Sequence, residues 1–206
     1  NLERAEKQAG DLAKLPDSAR PTMVEFLQKL FAAARDKDQI EQIAKSLETL
    51  GAKPDLTKHF GYVTEWQVIG PFENVEGAGL AKVYPPETVL DPKGTYPGKA
   101  EKPTAWKYVQ SEDTYGFIDL NQSLGKSMEA VGYAAAVVVA PKEMPCEIRI
   151  ASQNAVAVFL NGKKIFERDE YHHGTKMDQH VARGTLKAGK NEVVLKVCQN
   201  NICLLY

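Results

Sequence analysis

Residues 155–167 read Ala155-Val156-Ala157-Val158-Phe159-Leu160-Asn161-Gly162-Lys163-Lys164-Ile165-Phe166-Glu167, and the reading of this stretch decides the fold. Its first six residues are apolar and rich in β-branched side chains, as buried strands are. Asn161-Gly162 follows, a strong hairpin signal, because both central residues of a type I′ turn need positive φ. Lys163 to Glu167 then reads as the return strand.

Working outward, Glu192 to Val197 repeats the β-branched character. Lys187-Ala188-Gly189-Lys190-Asn191 before it reads as the next hairpin-like connection. Further strands are predicted at Glu65 to Ile69, Trp106 to Gln110, Phe117 to Leu120, Gly132 to Ala140, Cys146 to Ser152, His180 to Arg183 and Ile202 to Tyr206. Many short strands with no long helix between them indicate an antiparallel sandwich rather than a parallel α/β sheet. Residues 70–105 interrupt the rhythm with repeated Pro and Gly. Because Tyr84 and Tyr96 lie within it, this long connection is expected to be an ordered surface meander. Trp66 and Trp106 are expected in the core.

The first 55 residues follow a different period. Leu2, Ala5, Ala9, Leu12 and Leu15 recur at helical spacing up to Pro16. Thr22 with Glu25 predicts a capping box, followed by an apolar face of Met23, Phe26, Leu27, Leu30, Phe31 and Ala34. Asp38 with Glu41 predicts a second, ahead of Ile40, Ile43, Ala44, Leu47 and Leu50, with Gly51 at the C′ position. The division expected is a helical segment over 1–55 and a sandwich over 62–206. The helical pair is read as a cap on the next domain or, alternatively, as the end of a repeat array.

Composition narrows the partners. Twenty-six Lys and Arg against 27 Asp and Glu leave no basic excess for nucleic acid or a polybasic membrane contact. No apolar run approaches the length of about 20 residues that spans a bilayer. Asn1 rather than Met opens the chain, which is read as a processed form or a cut from a longer polypeptide. Cys146, Cys198 and Cys203 are an odd, sparse set without C-x-x-C spacing and are read as core or edge-strand residues, one bridge among them remaining open.

The strand run carries a family resemblance. Val158-Phe159-Leu160-Asn161-Gly162-Lys163-Lys164-Ile165, then His173-Gly174 with Asp178, then Leu186-Lys187-Ala188-Gly189-Lys190-Asn191-Glu192-Val193 resembles the jelly-roll sugar-binding domain of family 2 glycoside hydrolases, of the galactose-binding-like superfamily. Trp66-Gln67-Val68-Ile69-Gly70-Pro71-Phe72 is similar to a W-x-V-x-G-P-F opening in sandwich modules of large secreted bacterial proteins, where helical repeats often sit upstream. The resemblance covers roughly 62–206. It implies a galactose-binding-like β-sandwich, extracytoplasmic, acting as a non-catalytic module that binds carbohydrate or packs on adjacent domains of the same polypeptide. Members of the superfamily often carry a structural calcium. No D-x-[DN]-x-[DN]-G loop occurs here, so no calcium site is assigned and no other cofactor is expected.

No P-loop, G-x-S-x-G elbow, H-E-x-x-H or dinucleotide fingerprint is present. Glu167 and Asp169 can be nominated as a carboxylate pair for glycoside cleavage, but a solvated strand end explains them as well. No enzyme activity is expected. His172, His173 and His180 with Asp169, Glu170 and Asp178 are the densest group of potential metal ligands, although adjacent His172 and His173 point apart if extended. Sugar binding needs an aromatic platform with amides or acids for hydroxyls. Tyr171, His172, Asp178 and Gln179 supply that set from one loop and are the ligand-binding candidates. The bland alternative is a polar connection between strands, which goes with a purely structural interdomain module.

Overall fold

A computed structural model describes residues 10–88 and 91–200. The chain divides into two compact units at Tyr62/Val63. In the first, residues 10–13 are helical and are followed by α1 (Arg20–Ala33), α2 (Lys37–Thr49) and the short α3 (Leu56–Phe60). Leu27 of α1 and Ile40, Ala44 and Leu47 of α2 are buried. Both expected caps move. α1 starts ahead of Thr22, with Pro21 in its first turn and no side-chain cap, because proline lacks only an N–H that has no partner at that position. α2 is capped by Asp36, which accepts from Gln39 N at 3.0 Å, and Asp38 falls in the first turn. Gly51 takes the left-handed C′ position at φ 84°, with Ala52 N donating to Leu47 O as in a Schellman turn.

The second unit is mainly β and antiparallel. Its strands are β1 (Glu65–Glu73), β2 (Thr95–Pro97), β3 (Pro103–Ala105), β4 (Lys107–Gln110), β5 (Ala130–Ala140), β6 (Met144–Ile150), β7 (Ala155–Leu160), β8 (Lys163–Arg168), β9 (His180–Leu186) and β10 (Gly189–Gln199), and α4 (Leu120–Leu124) lies between β4 and β5. Six of them form one sheet in the order β4-β1-β5-β10-β7-β8, while β6 pairs with β9 and β2 with β3. β5 and β10 pair without interruption from Ala130↔Gln199 to Ala140↔Gly189.

Residues 155–167 behave as their sequence dictates. Asn161 at φ 52° and Gly162 at φ 76° form the two-residue turn between β7 and β8, and all six residues of β7 are buried. The connection 187–191 is not a hairpin. β9 pairs with β6, whereas β10 joins β5 and β7, so this segment carries the chain from one sheet to the other. Asn191, fully buried, braces the corner by accepting from Lys187 N and donating to Lys187 O and Gly189 O. The strand expected at 117–120 is also absent. Asp119 instead caps α4, accepting from Asn121 N at 2.8 Å, an N-cap bond that competes directly with extended pairing. The strand expected at 202–206 and the helical pattern of residues 1–9 lie outside the described residues.

Strand alternation divides the core into two faces. On one, Ile69, Tyr133, Ala157, Phe159, Val194 and Cys198 pack beneath Leu80, Tyr84 and Trp106. The Pro- and Gly-rich stretch is therefore more than a surface meander, because it supplies the roof of this face. On the other, Trp66, Val68, Ala134, Val156 and Val197 pack with Leu120, Leu124 and Ile150, so α4 and the β6–β9 pair cover it. The β6–β9 pair packed face to face on the six-stranded sheet makes the sandwich.

One polar clasp ties the roof to the sheet. Lys196, on β10, is fully buried. Its Nζ donates to Leu80 O at 2.9 Å, Lys82 O at 2.7 Å and Glu87 Oε1 at 2.7 Å. Glu87 Oε1 also accepts from Tyr133 OH at 2.5 Å and Tyr84 N at 3.2 Å. Burial, reinforced by this bond to Glu87, pushes the Tyr133 phenol far above its ordinary range. Cys146 and Cys198 are free thiols, and burial raises Cys198 to about 12, which leaves it an inert core residue.

Candidate functional site

The loop 169–179 leaves β8 and returns to β9. Tyr171 is half-buried, packs against the first core face and accepts a long hydrogen bond from Asn74 Nδ2 at 3.4 Å. His172 is exposed, sits in the left-handed region at φ 56° and meets Asn200 Oδ1 through Nε2. Asp178 is ion-paired with Arg149 at 2.6 Å, and Arg149 in turn with Glu147 at 2.8 Å. Gln179 accepts from Ser152 N at 3.1 Å and donates to His173 Nδ1 at 2.8 Å and Gly174 O at 3.2 Å. Tyr171 and His172 remain neighbours, with ring centroids 6.3 Å apart. Asp178 is thus engaged by Arg149 of β6, and the Gln179 amide by the loop itself and the Ser152 turn.

His173 and His180 meet edge to face at 6.2 Å, and His180 also lies 5.3 Å from the Phe166 ring. Both Nε2 atoms are buried without a hydrogen-bond partner among the described residues. Burial, then the neighbouring His173 and Arg168, lower the His180 pKa below its ordinary 6.5, with Glu170 opposing. The unfolded chain therefore binds the proton more readily. Stability from this group is complete above about pH 6.5 and falls as the pH drops from there toward the folded value. Urea denaturation at pH 7.5 and 5.5 should show a loss on acidification that His180→Phe reduces, and an unchanged difference in that variant would refute the assignment.

Among the described residues no group of three or more His, Cys, Asp or Glu is arranged to hold a metal ion. The adjacent carbonyls of Met128 and Glu129, a pair of the type that ligates calcium, accept from Lys99 Nζ at 2.7 and 2.6 Å.

A second place in the sandwich is better provided with uncommitted groups. Between the end of β4 and α4 lies an open, mainly polar cleft of about 390 Å³. Val109 and Ile118, both packed on the second core cluster, form its base. Gln110, Ser111 and Glu112 line one side, and Asp119, Gln122 and Ser123 the other. Phe117, which also lines it, is 51% exposed. The side chains of Gln110, Glu112 and Gln122 make no hydrogen bond or ion pair among the described residues.

Local sequence explains why Phe117 stands there. Asp113 Oδ1 accepts from Tyr115 N at 2.8 Å and Phe117 N at 3.3 Å. Gly116 supplies φ 71°, and Ser111 Oγ donates to Phe117 O at 2.6 Å. This tight turn lifts an aromatic ring out of the core. Sequence reading missed the site by treating 117–120 as a strand. Two signals pointed to it: the Asp113-to-Gly116 turn, and Asp119 three residues ahead of Gln122 as a helix start. A smaller cleft of about 270 Å³ is lined by Val137, Asn161, Lys187, Lys190 and Glu192. It offers no aromatic ring, and the Asn161 amide is already bound to Asn191 Oδ1 and Glu192 N.

No family model matches the chain, and no curated protein matches it. Among solved structures the chain is similar to a β-glucuronidase from an uncultured Clostridium species, at 13% identity and a TM-score of 0.35. The alignment covers 66% of this chain and 21% of that one, so the chain spans about a fifth of that enzyme's length.

Proposed function

We propose that the sandwich is of the galactose-binding-like, jelly-roll kind and acts as a non-catalytic carbohydrate-binding module of a larger extracytoplasmic protein. The sequence resemblance supports the fold family. The observation that carries the function is the cleft in which the exposed Phe117 ring stands beside the uncommitted Gln110, Glu112 and Gln122. An aromatic face meets the C–H surface of a pyranose, while amides and carboxylates bind its hydroxyls. Tyr171, His172, Asp178 and Gln179 are the second candidate set, weakened by the internal bonds of Asp178 and Gln179.

Affinity electrophoresis through polysaccharide gels separates the two. Phe117→Ala should weaken retention at least tenfold, about 1.4 kcal/mol, with little change in the melting midpoint because the ring is half exposed. Loss on Tyr171→Ala with full retention by Phe117→Ala would move the site to the 169–179 loop. A purely structural interdomain module is the alternative, favoured by Val137 and Val139, which β5 leaves 53% and 71% exposed. Absence of retention by every plant, algal and bacterial polysaccharide would overturn the carbohydrate reading and favour that alternative.

A further inference from the structure

We infer that the β4–α4 cleft selects neutral glycans and rejects those bearing uronic acid or sulfate groups, an inference that rests on reading this cleft as the sugar site. Two carboxylates, Glu112 and Asp119, line it, and no Lys, Arg or His does. The ammonium that reaches a lining residue, Lys107 Nζ, is bound to the Ser123 carbonyl at 3.0 Å. Glu112 has no cationic partner among the described residues. Asp119 uses Oδ1 to cap α4 through Asn121 N at 2.8 Å and Gln122 N at 3.4 Å, bonds to neutral amides that leave its charge in place.

The balance of donors and acceptors points the same way. A carboxylate only accepts hydrogen bonds, and a sugar hydroxyl can donate to it. A uronate or sulfate only accepts, so opposite Glu112 it meets an acceptor and a like charge at once. Like charges at close range act against binding, and because Glu112 is exposed the repulsion is largest at low ionic strength. The Gln110 and Gln122 amides, each both donor and acceptor, suit hydroxyls in either role. The chemistry is that of a neutral hexosyl or pentosyl chain laid on Phe117.

The test is affinity electrophoresis of the full chain at low salt through gels of neutral polysaccharides (β-glucans, arabinoxylan, galactan) and of polygalacturonate and alginate. Wild-type protein should be retarded by at least one neutral gel and run at least tenfold less retarded in both polyuronates. The double variant Glu112→Gln, Asp119→Asn removes both charges while keeping an N-cap residue, and it should gain retention on polyuronate. Its melting midpoint, measured alongside, confirms that α4 is intact. Polyuronate retention of the wild type equal to or above neutral retention overturns the selectivity while leaving carbohydrate binding intact. No retention by any gel, neutral or acidic, overturns the carbohydrate reading itself.

Discussion

Replacing Lys196 by Ala is expected to lower the stability of the sandwich by about 3–5 kcal/mol, the usual cost of removing one partner from a buried ion pair. The variant leaves the Glu87 carboxylate, 9% exposed, without its ammonium, and leaves the Leu80 and Lys82 carbonyls without their donor. Tyr133 and Tyr84 N still bond to Glu87, but neither is charged. Urea denaturation followed by tryptophan fluorescence is a direct reading, since Trp106 lies in the same core face. A double variant, Lys196→Met with Glu87→Gln, should recover part of the loss, because it leaves no uncompensated charge in the buried site. A single-variant loss below about 1 kcal/mol would show that the clasp does not hold the roof, since surface pairs reach only that much.

Asn74 governs the other end of the roof. It is fully buried, donates to Gln199 O at 2.6 Å and accepts from Gly79 N at 2.8 Å, so one amide joins β10 to the first turn of the meander. Asn74→Ala strips partners from two buried backbone groups at about 1–3 kcal/mol each, and a net loss of about 2–4 kcal/mol is expected. No larger residue at Gly79 can compensate, because a Cβ there would lie 2.6 Å from Val131 Cγ2 and 2.8 Å from Glu73 O, neither of which the variant removes. Amide exchange checks the mechanism independently of the melt. The Gly79 N–H should lose protection in Asn74→Ala while the β5–β10 ladder keeps its own, and equal loss in both would indicate general unfolding.

What the sequence disclosed depended on how local the governing physics is. Asn161-Gly162 needs nothing beyond its own backbone preference, and β7 and β8 formed around it as expected. Trp66 and Trp106 were legible as core for a similar reason, being large and apolar on strand-like runs. Lys196 shows the opposite case. It stands as a lone cation in the β-branched run Val193 to Val197, and its partners come from residues 80–87, more than 100 positions away. Periodicity carries no record of such a partner. Asp119 failed differently, since a strand propensity at 117–120 competed with a side chain able to cap a helix, and the cap prevailed. For the candidate loop, composition gathered Tyr171, His172, Asp178 and Gln179 correctly into one segment. It could not show that Asp178 and Gln179 already have partners at Arg149 and Ser152.

The strand order has a consequence for how the protein is made. β10, the last described strand, lies between β5 and β7 in the middle of the six-stranded sheet. A nascent chain that has not yet released residues 189–199 from the ribosome therefore has two apolar strands with no central partner, and Lys196 has not arrived to fix the roof. Folding of this unit cannot be completed until residues 189–199 have emerged, and the non-local pairing of β5 with β10 sets a slow pace, of the order of milliseconds to seconds. During that interval β5 and β7 expose unpaired apolar edges of the kind chaperones bind.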